Sequence, residues 1–220
     1  MFPTPIQKYS LPANITYRIA LLITLFIWLL PLIAVMLTSI RTYDDILAGN
    51  YWGWPKESGA IENYTKIFAD GRMARYFLNS LIITLPTVFG TLLLSSMAGF
   101  SLAMHKFKLN ILLFCMFIAG NFVPFQILMI PVRMITIDLG IYNTYYGLII
   151  FHIAFQTGFC TFFLRNFIKE LPFELIEAAR ADGATEWMIY RKIILPLIVP
   201  ALAALGVLEF TFIWNDYFWA

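Results

Sequence analysis

The sequence predicts an all-α protein that crosses a membrane several times as a bundle of helices. Of its 220 residues, 60% are hydrophobic and 13% are charged, whereas an ordinary soluble domain has about 25% charged residues. The charges are also clustered, so that long stretches contain none. A helix needs about 20 mostly apolar residues to span a bilayer. We therefore predict a single transmembrane domain over residues 1–220, with five spans at about 19–40, 76–104, 109–132, 144–164 and 193–214.

The first two spans carry local signals beyond their hydropathy. Pro31 lies inside the first span, where neighbouring helices of a membrane protein can accommodate a kink. The connection that follows contains Tyr51, Trp52 and Trp54, and such aromatic residues are enriched at the membrane–water interface. The second span contains the small residues of the segment 95–101, which allow close contact between helices in lipid. We expect that segment to form a packed face between helices.

A charged loop at residues 165–192 separates the fourth and fifth spans, and its local signals indicate a helix, a turn and a second helix. Pro172 suits the first helical position because its missing N–H would be unpaired there. Glu174 falls in the first turn, where the helix dipole favours an anion. Gly183 suits the left-handed position that closes a helix, and Thr185 can cap the next one. On these signals alone, an ordinary charged loop is an equally good interpretation.

The spacing of residues in this loop carries a resemblance to a known family. Glu177-Ala178-Ala179 is followed after three residues by Gly183, and after nine more by Ile193, with Leu195-Pro196 one residue further on. This pattern resembles the cytoplasmic signature loop of the permease subunits of binding-protein-dependent ABC importers. The segments 123–126, 139–144 and 214–216 resemble the branch that imports sugars. Within that branch, the chain is most similar to the shorter permease of the maltose and multiple-sugar type.

The resemblance implies a function and a set of partners. The chain would form half of the translocation path for a carbohydrate, beside a second homologous permease. Two copies of an ATPase subunit would bind ATP and Mg, an extracellular solute-binding protein would deliver the sugar, and this chain would hold no cofactor. The residues implied in ATPase coupling are Glu177, Ala178, Ala179 and Gly183. Candidates for the substrate path are Glu209, Asn215 and Asp216.

The resemblance also implies a sixth span. Permeases of this type normally have six, and the sequence stops at Ala220, just after the fifth. We therefore expect the last extracellular loop and the sixth helix to be missing, either from the gene product or from this chain alone.

The sequence weighs against other classes of function. It has no glycine-rich loop followed by Lys-Ser or Lys-Thr, so ATP hydrolysis is expected on a partner and not here. A secondary transporter driven by an ion gradient is the alternative, but such proteins often carry internal repeats and charges near the bilayer midplane. Glu209 lies sixteen residues beyond Ile193, or about 24 Å along a helix, which places it toward the far side.

A membrane-embedded enzyme would need clustered polar groups, and only His152 and Glu209 are available in the spans. The sequence has no basic stripe of the kind that binds nucleic acid.

The remaining histidines and cysteines have simple interpretations. Cys115 and Cys160 both fall inside apolar stretches, which favours a packing role over a disulfide or a metal site. His105 adjoins two lysines in a short polar turn and is expected to be solvated. His152 lies inside the fourth span, where an ionisable residue is a functional candidate, although a neutral, hydrogen-bonded histidine between helices is the favoured interpretation.

The distribution of positive charges predicts the orientation in the cell membrane. With five spans, the N-terminus, the 105–108 turn and the 165–192 loop share one side. That side carries more Lys and Arg than the other, which makes it the cytoplasmic one. Its positive residues are Lys8, Arg18, Lys106, Lys108, Arg165, Lys169, Arg180, Arg191 and Lys192, against Arg41, Lys56, Lys66, Arg72, Arg75 and Arg133 on the other side.

Overall fold

The computed structural model describes residues 11–49, 51–69 and 71–219, and in these residues α-helices are the dominant element. We number the helices α1 to α11 in chain order. The chain divides into two compact units, the first ending at Arg75 and the second beginning at Tyr76. The all-α fold class predicted from the sequence is confirmed.

The first unit contains one long apolar helix followed by two short ones, α1 (Leu11–Ser39), α2 (Tyr43–Leu47) and α3 (Ala60–Ala69). Helix α1 covers the first predicted span almost completely and contains Pro31 in its interior. Its most apolar stretch is not buried by the protein. A helix of this hydropathy whose most apolar stretch is left uncovered by the described residues is suited to lipid on its sides.

The long helix α4 (Arg72–Met104) contains the boundary between the units. Its residues up to Arg75 belong to the first unit, and those from Tyr76 onward belong to the second. The chain then forms α5 (Asn110–Asn121), a 3₁₀ turn (Phe125–Leu128), α6 (Met129–Asp138), α7 (Tyr145–Lys169), α8 (Phe173–Ala181), α9 (Glu186–Ile189), a π-helical turn (Tyr190–Ile194), α10 (Leu195–Leu197) and α11 (Val199–Trp214). By length and composition, three helices of the described residues can cross a membrane, or up to five if each of two bent helix pairs is one span.

The third predicted span, 109–132, is not one continuous helix in the structure. Helix α5 has 12 residues, and the next helical segment turns away from it by 91°. At 1.5 Å per residue, α5 is only about 18 Å long. Pro124 accounts for the break, because proline has no N–H to continue the helix and disfavours the helical conformation at Val123.

The fifth predicted span, 193–214, is also broken. The helical segment 186–197 and α11 meet at Ile198 with a bend of 71°. Pro200, in the first turn of α11, cannot donate a hydrogen bond to the carbonyl of Pro196, and its ring crowds that carbonyl. The straight part of this span is therefore the 16 residues of α11.

Helices α4 and α7 run parallel to each other. Tyr145 at the start of α7 donates a hydrogen bond of 2.8 Å to the side chain of Asn79. Further along both helices, Ser95 donates to the carbonyl of Thr157 at 3.3 Å, and Gly99 packs against the last turns of α7. Ser95 and Gly99 are buried, which confirms the packed face predicted from the small residues.

Helices α5 and α11 run antiparallel to α7. Phe114 of α5 stacks on Phe162, whereas the end of α5 lies beside Gly158. On the other helix, Glu209 contacts Cys160 and the later Asp216 lies near the earlier His152. The four helices α4, α5, α7 and α11 thus alternate in direction along the chain. Helix α5 and the bent segment that follows it therefore take the chain across the unit once between them.

A hydrophobic core lies where α4 and α7 end, which we call the loop end of the second unit. The buried side chains come from the spanning helices and from the loop between them. They include Met104, Leu164, Ile168, Ile176, Ile189, Ile194 and Ile198. The charged loop is therefore part of the folded unit and is not a detached connection.

Candidate functional site

The loop between α7 and α11 forms the helix, turn and second helix that its sequence predicts. Gly183 has φ of +81°, and the backbone N–H groups of Gly183 and Ala184 bond to the carbonyls of Arg180 and Ala179 at 3.0 Å each. These two bonds are the helix-ending pattern that requires a left-handed residue at this position. Thr185 caps α9 by accepting a hydrogen bond from the backbone N–H of Met188 at 3.3 Å.

One detail of that prediction is wrong by a single residue. Pro172 is the N-cap of α8, with ψ of 115°, and the first helical residue is Phe173. An N-cap residue keeps an extended backbone while its carbonyl accepts the first hydrogen bond of the helix. The carbonyl of Pro172 accepts that bond from Leu175 at 3.3 Å.

The loop has a buried side and an exposed side. Ile176 and Ile189 are 1% and 0% exposed and pack into the core at the loop end. Of the residues implied in coupling, Ala179 is partly buried against that core, and Glu177, Ala178 and Gly183 are exposed. Large apolar side chains are exposed beside them, namely Phe173, Leu175, Trp187 and Met188. Apolar side chains gathered on an exposed surface are typical of a site of protein contact.

A charged network at Glu186 connects the loop to the turn between α4 and α5. Arg180 donates two hydrogen bonds to the Glu186 carboxylate, at 2.8 and 3.2 Å. These bonds raise the pKa of Arg180 above its usual value. His105 Nε2 lies 3.1 Å from the second oxygen of Glu186. The interpretation of His105 as a solvated turn residue is therefore wrong, because the fold places it against the loop.

The substrate-path candidates lie on α11 and just beyond it, at two separate places. Glu209 is 1% exposed, and its Oε1 accepts a hydrogen bond from Cys160 Sγ at 3.2 Å. About two helical turns further on, Asp216 lies 3.2 Å from the buried His152. His152 is therefore buried between α7 and the segment after α11, whereas the hydrogen bond expected for it is not seen at its Nε2 among the described residues. Cys160 is buried, but Cys115 is exposed, so the packing role predicted for Cys115 is wrong.

A cavity of about 350 Å³ lies at the end of the second unit opposite the loop. Asn215 and Asp216 line it together with His152, and Glu209 does not. Its other walls are aromatic, formed by Phe151, Phe155, Phe212, Tyr217, Phe218 and Trp219. Backbone N–H groups of Phe218 and Trp219 donate to the two oxygens of Asp216, at 3.1 and 3.3 Å. Asp216 therefore holds the segment that forms one wall of the cavity.

Sequence reasoning missed the Glu186 network and the aromatic cavity. His105 and Glu186 are far apart in the chain, and no pattern in the sequence connects them. The aromatic residues of the cavity are visible as a run at 217–219, but their partner Phe151 lies on α7. Trp219 meets Phe151 with ring centroids 4.1 Å apart.

The alternating apolar helices and the loop packed into their end are those of a polytopic membrane protein. Comparison with known families supports the same class. Residues 91–220 match the family described as binding-protein-dependent transport system inner membrane component. The chain belongs to this family, and the resemblance predicted from its loop is confirmed. It is therefore an integral membrane component of a transport system.

Individual relatives are similar over most of the chain. A probable ABC transporter permease protein of Pyrococcus horikoshii is 31% identical over 220 residues, covering 98% of this chain and 76% of its own length. The osmoprotective compounds uptake permease protein GgtD of Synechocystis is 35% identical, covering 96% of this chain and 72% of its own. Among solved structures, a bacterial ABC transporter involved in the import of the acidic polysaccharide alginate matches with a TM-score of 0.80. That match covers all of this chain and 76% of the other, at 24% identity, and it supports the fold.

Proposed function

We propose that this chain forms half of the translocation path for a carbohydrate in an ATP-driven importer. Its partners in this proposal are a second homologous permease, a dimer of ATPase subunits that binds ATP and Mg, and an extracellular solute-binding protein. The names of relatives support the substrate class. The multiple sugar-binding transport system permease protein MsmG of Streptococcus mutans is 33% identical over 192 residues, and the arabinooligosaccharides permease protein AraQ of Bacillus subtilis is 32% identical over 216 residues.

The observation that carries the coupling role is the burial of the loop in the core of the spanning helices. Ile176 and Ile189 share one hydrophobic cluster with Leu164 of α7 and Ile198 at the start of α11. Because packed cores deform little, a displacement of the loop must move the ends of α7 and α11 with it. In the proposed mechanism, closure of the ATPase dimer pulls on the loop and rotates these helices.

The exposed side of the loop supplies the docking surface in this proposal. Glu177 and Ala178 are exposed on α8, and the small Ala178 side chain lets a partner approach the backbone closely. Trp187 and Met188 are 56% and 41% exposed on α9. A charged group beside large apolar side chains is suited to a groove that buries both kinds of surface.

The cavity opposite the loop is the proposed part of the substrate path. Sugars present hydroxyl groups together with apolar ring faces, and the cavity offers Asn215 among aromatic walls. Asp216 acts by holding the 215–219 segment, since both of its oxygens already accept backbone hydrogen bonds. Glu209 is buried against α7, so in this proposal it joins the path only when α7 and α11 separate.

Co-purification of an ATPase tests this function and the role of Gly183 together. The tagged wild-type chain, expressed with its second permease, should retain an ATPase subunit in detergent. An ion-gradient-driven transporter would not. Gly183→Val should weaken this association, because a β-branched residue with positive φ costs about 1–2 kcal/mol at the turn that presents the loop.

Gly183→Asn is the matched control, because asparagine tolerates the left-handed conformation far better. A Cβ atom at this position would meet no atom within 4 Å, so the main difference between the two variants is their tolerance of the left-handed backbone. Equal ATPase retention in Val and Asn variants would show that the turn geometry does not matter for docking.

The proposed orientation places the N-terminus and the loop in the cytoplasm. A cysteine at Ser58, which is exposed in the first unit, should react with an impermeant thiol reagent added outside intact cells. A cysteine at Glu174, which is exposed on α8, should react only after the cells are opened. Replacing Cys115, which is itself exposed, removes the background labelling. The reverse pattern would invert the topology.

A further inference from the structure

Helix α3 is attached directly to the end of the first span. The side-chain amide of Asn63 donates hydrogen bonds to the carbonyls of Ser39, at 3.0 Å, and of Arg41, at 2.7 Å. Tyr64 OH bonds to Ser39 Oγ at 3.2 Å. Ser39 is the last residue of α1. The last residue of α1 and the first turns of α3 are therefore bonded directly to each other.

The connection around α3 contains a buried arginine whose partners belong to the same connection. Arg41 is 0% exposed, and its guanidinium lies 3.4 Å from the Asp45 carboxylate and donates to the carbonyl of Gly53. An antiparallel bridge between Arg41 and Ser58 closes the base of the connection. The buried arginine is thus paired with a carboxylate and a backbone carbonyl, and it does not stand as an isolated charge.

Helix α3 has one apolar face and one charged face. Ile61, Tyr64 and Phe68 occur at spacings of three and four residues and therefore share a face. They are 86%, 49% and 57% exposed. Glu62 and Lys66 lie on the other side and form an ion pair of 2.6 Å with each other. No net charge is left on the helix to direct it toward a charged partner.

Other exposed aromatic and apolar residues belong to the same unit as α3. Tyr43 and Leu47 of α2 are 72% and 68% exposed, and Trp52 and Trp54 are 65% and 81% exposed. Trp and Tyr favour the region of lipid headgroups. A short helix with an apolar face beside such residues matches the pattern of helices that lie in the membrane surface.

We propose that α3 lies flat in the headgroup region of the bilayer, on the side where α1 ends, with Ile61, Tyr64 and Phe68 turned into the lipid. The occupant of the apolar face is thus the lipid surface and not a protein. Continuity with the first span argues for lipid, because α3 is bonded to the residue at which that span ends. The helix then acts as an anchor that sets the depth of α1 in the membrane.

Spin labels on the two faces of α3 test this proposal. In the complete transporter, reconstituted in vesicles of phosphatidylcholine and phosphatidylglycerol with Cys115 replaced, single cysteines are introduced at Ile61, Phe68, Glu62 and Lys66. Labels at Ile61 and Phe68 should collide more with oxygen, which concentrates in lipid, than with a water-soluble nickel complex. The matched labels at Glu62 and Lys66 should show the reverse ratio.

Two results would overturn the proposal. Equal and high accessibility of all four labels to the nickel complex would mean that α3 stands in water. Labels at Ile61 and Phe68 that are open to nickel, and become shielded only when a solute-binding protein is added, would assign the apolar face to that protein instead.

Discussion

Replacing Glu177 by lysine should abolish ATP-driven sugar uptake while the chain still inserts and folds. Glu177 is exposed on α8, beside the partly buried Ala179 and the apolar side chains of the loop. A carboxylate brought into a partner's groove loses water and requires a cationic or N–H partner there. Truncating one member of such a pair costs about 2–5 kcal/mol, and a lysine adds repulsion to that loss.

The measurement is sugar uptake together with substrate-stimulated ATPase activity in reconstituted vesicles that contain both permeases. Glu170→Lys is the control, because it makes the same change of charge at an exposed position outside α8. We expect the control to transport normally and the Glu177 variant to lose uptake, ATPase coupling or assembly. Normal uptake and hydrolysis by Glu177→Lys would mean that this residue is a solvated loop charge.

Replacing Gly158 by leucine should separate α5 from α7 and destabilise the second unit. A Cβ atom at this glycine would lie 2.7 Å from the carbonyl oxygen of Phe117 and 2.9 Å from the amide nitrogen of Asn121. The Phe117 oxygen is backbone and also accepts the Asn121 side chain at 2.8 Å, so it cannot move aside without distorting α5. Overpacking of this kind typically costs about 1–3 kcal/mol, and a whole leucine belongs at the upper end of that range.

Gly120→Leu is the matched control for this effect. Gly120 lies on α5, and a Cβ there meets no atom within 4 Å. Leucine also favours a helix over glycine by up to about 1 kcal/mol, so this variant should be at least as stable as the wild type. Stability is measured as the temperature at which the detergent-solubilised protein loses its monodisperse chromatographic peak. Equal midpoints for the two variants would contradict the close contact between α5 and α7.

Several features could be predicted from the sequence because the physical signals are local. The first, second and fourth spans correspond to α1, α4 and α7, since an uncharged stretch of sufficient length has few alternatives to a spanning helix. The turn at Gly183 and the cap at Thr185 were predictable for the same reason. Each depends on the backbone preference or side chain of one residue and its neighbours within one helical turn.

The breaks in the third and fifth spans were less accessible to sequence reasoning. Pro124 and Pro200 are visible in the sequence, but so are Pro31 and Pro86, which lie inside the continuous helices α1 and α4. Whether a proline breaks or only strains a membrane helix depends on what satisfies the freed carbonyl groups nearby. The bends of 91° and 71° therefore follow from packing and not from composition.

The sequence by itself determined the class of the protein, three of its membrane-spanning helices and the local form of the loop. Only the tertiary structure decided which side of that loop is buried, that His105 contacts Glu186, and that Asp216 and Glu209 bind to separate levels of α7. Hydropathy and helix-ending signals act over a few residues. The contacts of a buried side chain depend instead on which helices become neighbours, and the register between distant segments is set only when they pack together.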